Sequence, residues 1–210
     1  WVSYSVNKED MWISRIPVPV EINASAHADD DFSKNKSIAE LTDWNIYSPV
    51  WAPVSLEDQW LKLQDKDPFD YAKVERKIPA SKELKVSFDL KAGQNNKGTL
   101  QIEFLDENGI ACSRMELTDD GIFRLKGGSR FANMMKYEAG KIYHVEAVLS
   151  TVDRNIQVYV DGKRVGLRMF YAPVAAVERI VFRTGVPRTF PTVDTPADQT
   201  YDLPNAGAQD

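Results

Sequence analysis

Apolar and polar residues alternate with a period of two along most of the chain. In 85–93 (KVSFDLKAG), Val86, Phe88 and Leu90 alternate with Ser87 and Asp89. In 99–109 (TLQIEFLDENG), Leu100, Ile102 and Phe104 alternate with Gln101 and Glu103, and Asn108-Gly109 closes the segment. This period is that of a half-buried strand, and Asn-Gly between two such runs predicts a hairpin turn. Segments 111–117 (ACSRMEL) and 121–126 (GIFRLK) follow, separated by the turn signal Asp119-Asp120-Gly121. Next come 141–151 (KIYHVEAVLST), a turn at Asp153-Arg154-Asn155, 155–165 with its own Asp161-Gly162 turn, and 177–185 (VERIVFRTG). The pattern predicts about eight short strands at hairpin spacing. Helical turns are expected only around Lys36 to Leu41, Ser55 to Trp60 and Val174 to Val177. The fold class expected is all-β, an antiparallel two-sheet jelly-roll sandwich rather than α/β.

The N-terminus carries a separate pattern. Trp1 to Val6 and Met11 to Ile16 read as two strands around the polar turn Asn7 to Asp10, and Pro17 and Pro19 end the ladder because proline lacks the amide donor. Four units are expected: a hairpin over 1–20 that belongs to a neighbouring domain, a linker over 21–31, a sandwich over 32–190, and a loop or tail over 191–210. The chain opens at Trp1 without a basic start and apolar stretch, and closes on a Pro-, Asp- and Ala-rich segment. It reads as a piece of a longer secreted or envelope polypeptide; the alternative is a tail on a complete domain.

Composition narrows the function classes. With 43% hydrophobic and 27% charged residues the chain is ordinary for a globular protein, and its length of 210 residues is ample for a core. A net charge of −5 without a long basic run argues against nucleic acid as a partner. No apolar run approaches the roughly 18 residues of a membrane span. The single cysteine, Cys112, excludes an internal disulfide framework.

Several segments together carry a resemblance. Residues 143–165 (YHVEAVLSTVDRNIQVYVDGKRV), with VSFDL and LQIEFLDENG before them and Phe32, Trp44, Trp51 and LKLQDKDPFDYAKVERKIP at the opening, resemble a concanavalin A-like (laminin-G-like) jelly roll over about residues 30–185. Residues 4–17 (YSVNKEDMWISRIP) resemble the last hairpin of a sialidase-like β-propeller blade. The combination implies a glycan-degrading parent, a glycoside hydrolase or polysaccharide lyase, with an intramolecular β-propeller as the sandwich's partner. It also implies a secreted, periplasmic or cell-surface location. In that setting the piece is expected to be a non-catalytic accessory module that binds carbohydrate. The rival is a piece that holds part of an active site lying mostly elsewhere, for which Lys8, Glu9 and Arg15 on the hairpin would matter.

The residues offer several candidate chemistries. Glycoside hydrolysis usually needs two carboxylates about 5 to 10 Å apart. The nearest match to an alternating acidic strand is Glu103, Asp106 and Glu107, but the odd spacing from Glu103 to Asp106 sends the two side chains to opposite faces, and 106–109 reads as a turn at a solvated strand end. No catalytic residue is assigned. A charged face is the more promising feature. If their strands are neighbours, Glu103, Arg114, Glu116 and Arg124 form one cross-strand patch, which beside an aromatic platform such as Trp51 would suit a sugar; the plain alternative is an exposed face balanced by ion pairs. Trp44, Trp60, Tyr47 and Tyr71 are further stacking candidates, though large aromatics also fill cores. The acidic run around Asp30 and Asp31 suggests a structural calcium, which takes carboxylate and carbonyl oxygens and which related sandwiches often hold near the first strand. His27 and His144 lack companions at zinc-ligand spacing, Cys112 lies on a strand without a motif that would activate it, and Gly127-Gly128 opens no helix and reads as a turn.

Overall fold

A computed structural model describes residues 28–66 and 70–185, together with the backbone of strands 2–6 and 10–14. Fifteen strands fall within the described residues: β1 (Val2–Val6), β2 (Asp10–Ser14), β3 (Trp44–Tyr47), β4 (Val54–Glu57), β5 (Trp60–Leu63), β6 (Lys73–Ser81), β7 (Glu83–Lys91), β8 (Leu100–Leu105), β9 (Ala111–Leu117), β10 (Ile122–Gly127), β11 (Arg130–Lys136), β12 (Ile142–Ser150), β13 (Asn155–Val160), β14 (Lys163–Met169) and β15 (Val177–Thr184). Two main sheets stack as a β-sandwich. One has seven strands in the order β11-β10-β9-β8-β15-β6-β3, and the other four in the order β14-β13-β12-β7. Every pairing is antiparallel. β1 and β2 pair only with each other, in a two-stranded sheet with Tyr4 opposite Trp12.

Alternation sets which side chains enter the core. From the seven-stranded sheet Ile102, Phe104, Met115 and Leu125 are fully buried; from the four-stranded sheet Val145, Ala147, Leu149, Ile156 and Val158 meet them in one cluster. Burying each of these side chains contributes roughly 1.5–3 kcal/mol relative to exposure, so the sandwich holds itself together through this layer. A smaller cluster of Ala52, Val54, Ala72 and Val74 lies under the hairpin β4–β5, and Phe182 packs against both clusters.

The turns follow the local chemistry that the sequence displays. Gly109, Gly121 and Gly162 all take positive φ, at +82°, +76° and +77°, and Asp161 joins Gly162 at +50°. Two successive residues with positive φ make the type I′ geometry that matches strand twist. Asp106 completes the β8–β9 turn by accepting N–H bonds from Asn108 (2.9 Å) and Ile110 (2.8 Å) at Oδ1.

Three local expectations change. Ser55 to Trp60 is not a helical turn but part of the hairpin β4–β5, because Asp58 and Gln59 both adopt positive φ (+48° and +69°) and reverse the chain in two residues. Val174 to Val177 is irregular and leads into β15; only the first expected turn is helical, as a 3-10 turn over Ile38–Glu40. Alternation does not point to β11 either, because its residues RFANMMK carry no strict period of two.

Candidate functional site

The site begins with two short turns. Because β8, β9 and β10 follow one another through tight connections, they lie side by side, and their register sets the outward residues in rows. One row across the seven-stranded sheet is Tyr47, Lys73, Arg183, Gln101, Glu116, Arg124 and Asn133. The next is Asn45, Glu75, Val181, Glu103, Arg114, Lys126 and Phe131. At about 4.8 Å per strand, a row crosses about 29 Å of surface from β3 to β11. These residues alternate with Ile102, Phe104, Met115 and Leu125 of the core, so they face away from the four-stranded sheet.

Within the rows the charges pair off. Arg114 donates from Nε (2.7 Å) and Nη2 (2.6 Å) to Glu103 Oε1. Arg124 donates from Nε and Nη2, both at 2.6 Å, to Glu116 Oε2, while Gln101 Nε2 donates to Glu116 Oε1 at 2.7 Å. Farther along, Glu75 accepts from Lys73 at 2.7 Å and Arg179 at 3.4 Å. Two charged N–H groups aimed at one carboxylate oxygen make a stronger contact than a single neutral hydrogen bond. The face is also less open than an ordinary sheet surface: Glu103 and Glu116 are 9% and 6% exposed, and Val181 between the strands only 1%. The reading of Glu103 as a solvated strand end is therefore corrected. Its carboxylate lies at the floor of a groove, where losing water is offset by its arginine.

Aromatic rings wall this groove. Tyr171, on the loop before β15, has Lys126 Nζ 4.4 Å from its ring centre and the Arg114 guanidinium at 5.9 Å. Phe131 on β11 stacks under Arg124 at 4.3 Å. Toward the other edge Arg183 lies 4.0 Å over Tyr71, which stacks on Tyr47 at 4.9 Å. Cations over ring faces gain electrostatically from the ring quadrupole. Burial pushes the Tyr171 hydroxyl up to about 12, with Arg114 pulling the other way, so the ring under Lys126 stays neutral at ordinary pH. Burial, with the charge of Arg114, holds the Lys126 ammonium below its usual range, against the opposing pull of Glu103 and Glu116. Burial likewise pushes Cys112 from 9.0 to about 12, with the nearby Asp106 charge adding to it, which leaves a protonated and unreactive thiol.

The structure brings Glu103, Arg114, Glu116 and Arg124 together. It does not add Trp51, which is 62% exposed on the loop between β3 and β4 and lies on none of the strands that carry the charged rows. Asp30 and Asp31 have other partners. Asp30 Oδ2 accepts from Arg76 Nε at 2.8 Å, and Asp31 caps the turn Phe32–Lys34 by accepting from the backbone and hydroxyl of Ser33 at 2.9 and 2.8 Å. A carboxylate facing a guanidinium is a poor donor for a cation, and among the described residues no group of three or more His, Cys, Asp or Glu side chains is arranged to hold a metal. These residues do not fit a calcium cage. Trp44 meets the rings of Phe32 and Phe182 and packs, partly buried, against the smaller cluster. His27, Lys8, Glu9 and Arg15 fall outside the described residues; His144 pairs with Asp89 at 2.8 Å on the other sheet.

Alternation along the sequence puts Gln101 and Lys126 on this outward face, although neither was counted in the four-residue patch; Phe131 and Tyr171 beside it were missed. Gln101 and Lys126 were within reach, since they continue the alternation of Glu103 and Arg124. Phe131 and Tyr171 were not, because their placement depends on how β11 and the loop after β14 return to the sheet.

Comparison with known proteins gives the family. The family model described as "Sialidase-like, CBM domain" matches residues 44–199. A solved structure described as "Sialidase" is 88% identical with a TM-score of 0.85, over 99% of this chain and 19% of that one. The chain thus spans about a fifth of the length of that relative. At low identity the fold alone is shared with a Crh5 transglycosylase (12% identity, TM-score 0.62, 89% of this chain and 78% of that one) and with the carbohydrate recognition domain of Emp47p (11%, 0.50, 73% and 83%). A search of curated proteins found no match. The extent of the family match settles membership: the chain belongs to the sialidase-like carbohydrate-binding-module (CBM) domain family.

Proposed function

We propose that this β-sandwich is a non-catalytic accessory module that binds carbohydrate for a larger glycan-degrading enzyme, and that it does so on the outward face of the seven-stranded sheet. The observation that carries this reading is the pair of cross-strand rows, in which Glu103, Gln101, Arg114, Glu116 and Arg124 form a polar floor between the walls Phe131 and Tyr171 on one side and Tyr71 and Tyr47 on the other. Sugars offer hydroxyl groups at their edges and C–H faces above and below. Such a groove can meet both, and its width of about 29 Å suits an oligosaccharide chain better than a single ring. Family membership supports the carbohydrate class.

Catalysis in the parent is assigned to other parts of the protein. Glu103 and Glu116 stand on neighbouring strands, but each carboxylate already takes two N–H bonds from an arginine, so neither is placed to protonate a leaving group. The hairpin β1–β2 is read as the last piece of a sialidase-like propeller, with 21–31 as the linker and 32–190 as the concanavalin A-like sandwich. A secreted, periplasmic or cell-surface location follows from that parentage. The 88% identity to a sialidase supports the parentage.

The experiment is a glycan array of the 210-residue chain followed by calorimetry on the retained sugars. Arg124→Gln and Phe131→Ala, both at partly exposed positions, are expected to weaken binding by about tenfold or more, as truncations of central aromatic and arginine contacts commonly do. No retained glycan, or affinities indifferent to both changes, would overturn the assignment of this face.

A further inference from the structure

We infer that the module's ligand is an acidic glycan, one bearing a carboxylate or sulfate group, and that Lys126 between the Tyr171 and Phe131 rings is its anion contact. The inference rests on the carbohydrate-binding reading above and names the ligand class for the same face.

The first observation is how the charges divide. Arg114 is answered by Glu103 and Arg124 by Glu116, each through two short N–H bonds. Lys126, directly opposite Arg114 in the register, takes part in none of the ion pairs among the described residues. Its ammonium is instead placed over aromatic faces, 4.4 Å from the centre of Tyr171 and 5.9 Å from that of Phe131. A lysine whose close contacts are ring faces, with the Glu103 and Glu116 charges acting on it only from beyond ion-pair distance, keeps donors to offer, because a ring face satisfies an ammonium less fully than a carboxylate does.

The second observation is the charge of the face. Along the outward strand positions of β6, β15, β8, β9 and β10 there are seven basic side chains and three acidic ones, in a chain whose net charge is −5. The excess of positive charge is thus gathered on this side of the sandwich against the overall sign of the chain. Such a distribution steers anions to the face and repels cations. The lowered affinity of Lys126 for its proton, caused by burial and by Arg114, agrees with it: the two glutamates nearby do not neutralise that amine. An anionic sugar group would supply what they do not, and the flanking rings would receive the C–H face of the same sugar.

Calorimetry with three acidic probes and their neutral counterpart tests the inference: a sialylated oligosaccharide, a uronate-containing oligosaccharide, a sulfated oligosaccharide, and the desialylated form of the first. The wild-type chain should bind at least one acidic probe about tenfold or more tighter than the neutral sugar, a gap of about 1.4 kcal/mol, and the gap should shrink as salt is raised. The acidic probe that binds identifies carboxylate or sulfate as the source. Lys126→Met, which keeps the apolar stem between the rings, should abolish the preference, and Lys126→Arg should retain it. Lys141→Met removes the same charge beside the other sheet and should leave the preference intact. Equal binding of acidic and neutral sugars, or a preference that survives Lys126→Met, overturns the inference and leaves the carbohydrate-binding reading standing. No binding of any sugar overturns both.

Discussion

Replacing Arg114 by methionine tests whether the polar floor of the groove is a structural unit. Methionine keeps most of the side-chain volume and removes the guanidinium. Glu103 then loses both of its bonds to Arg114, at 2.6 and 2.7 Å, while its side chain remains 11% exposed. Removing one partner of a buried pair commonly costs 3–5 kcal/mol because the other charge is left uncompensated. Two features lower the figure for this pair. The Arg114 side chain is itself 16% exposed, and Lys126 already feels the Glu103 carboxylate. A loss of about 2–4 kcal/mol is expected. Arg124→Met should cost less, about 1 kcal/mol, since its side chain is 34% exposed and Glu116 keeps its bond from Gln101. The assay is urea unfolding followed by tryptophan fluorescence, with unchanged m-values as the sign that the unfolded state is the same. The double change Arg114→Met with Glu103→Gln should recover most of the loss, because no buried carboxylate is then left without its guanidinium. A value for Arg114→Met within about 0.5 kcal/mol of wild type, or one equal to that for Arg124→Met, would refute the idea that burial of Glu103 sets the cost of losing its partner.

Three further outcomes are expected. Cys112 is fully buried with its pKa raised from 9.0 to about 12, so the folded chain holds its thiol proton where the unfolded chain has lost it; stability is intact below pH 9 and falls at up to about 1.4 kcal/mol per pH unit above it, and Cys112→Ala should flatten the decline between pH 9 and 10, before the raised Tyr137 and Tyr171 add theirs. Gly127→Ala should destabilise by about 1–3 kcal/mol, because the new methyl would lie 2.7–2.9 Å from Cδ, Cβ and Cγ of Arg168, and the Cβ is anchored to the backbone of β14 and cannot swing away; an unchanged melting temperature would disprove that contact. Asp106→Ala should cost about 1–2 kcal/mol through the two turn amides left without their acceptor, and amide exchange at Asn108 and Ile110 should speed up while the rest of β8 and β9 stays protected.

What could be read from the chain was local in origin. Strict alternation in 85–91 and 100–104 determined those strands, since a side-chain period of two has one geometric meaning. Asn108-Gly109, Asp119-Asp120-Gly121 and Asp161-Gly162 determined the turns, because few residues reach positive φ without strain. Short turns make neighbours of consecutive strands, so the meeting of Glu103, Arg114, Glu116 and Arg124 was already implicit in the spacing. Periodicity did not determine Ser55 to Trp60, where six residues fit a helical turn or a hairpin equally well, and it did not reveal β11.

The tertiary structure decided the rest. β15 inserts between β8 and β6, bringing Arg183 and Val181 beside Gln101 and Glu103 from about eighty residues away, and no local signal encodes a strand's choice of partner. Packing also decided burial: the same polar alternation describes an open face or a groove floor, and Glu103 is left at 9% exposure beside Arg114, whose guanidinium meets the ring of Tyr171 on a distant loop. The sequence therefore determined which residues share a face, through the geometry of strands and turns. How dry that face is, which rings wall it, and which cation remains without a carboxylate depend on contacts between distant segments, which form only when the whole sandwich closes.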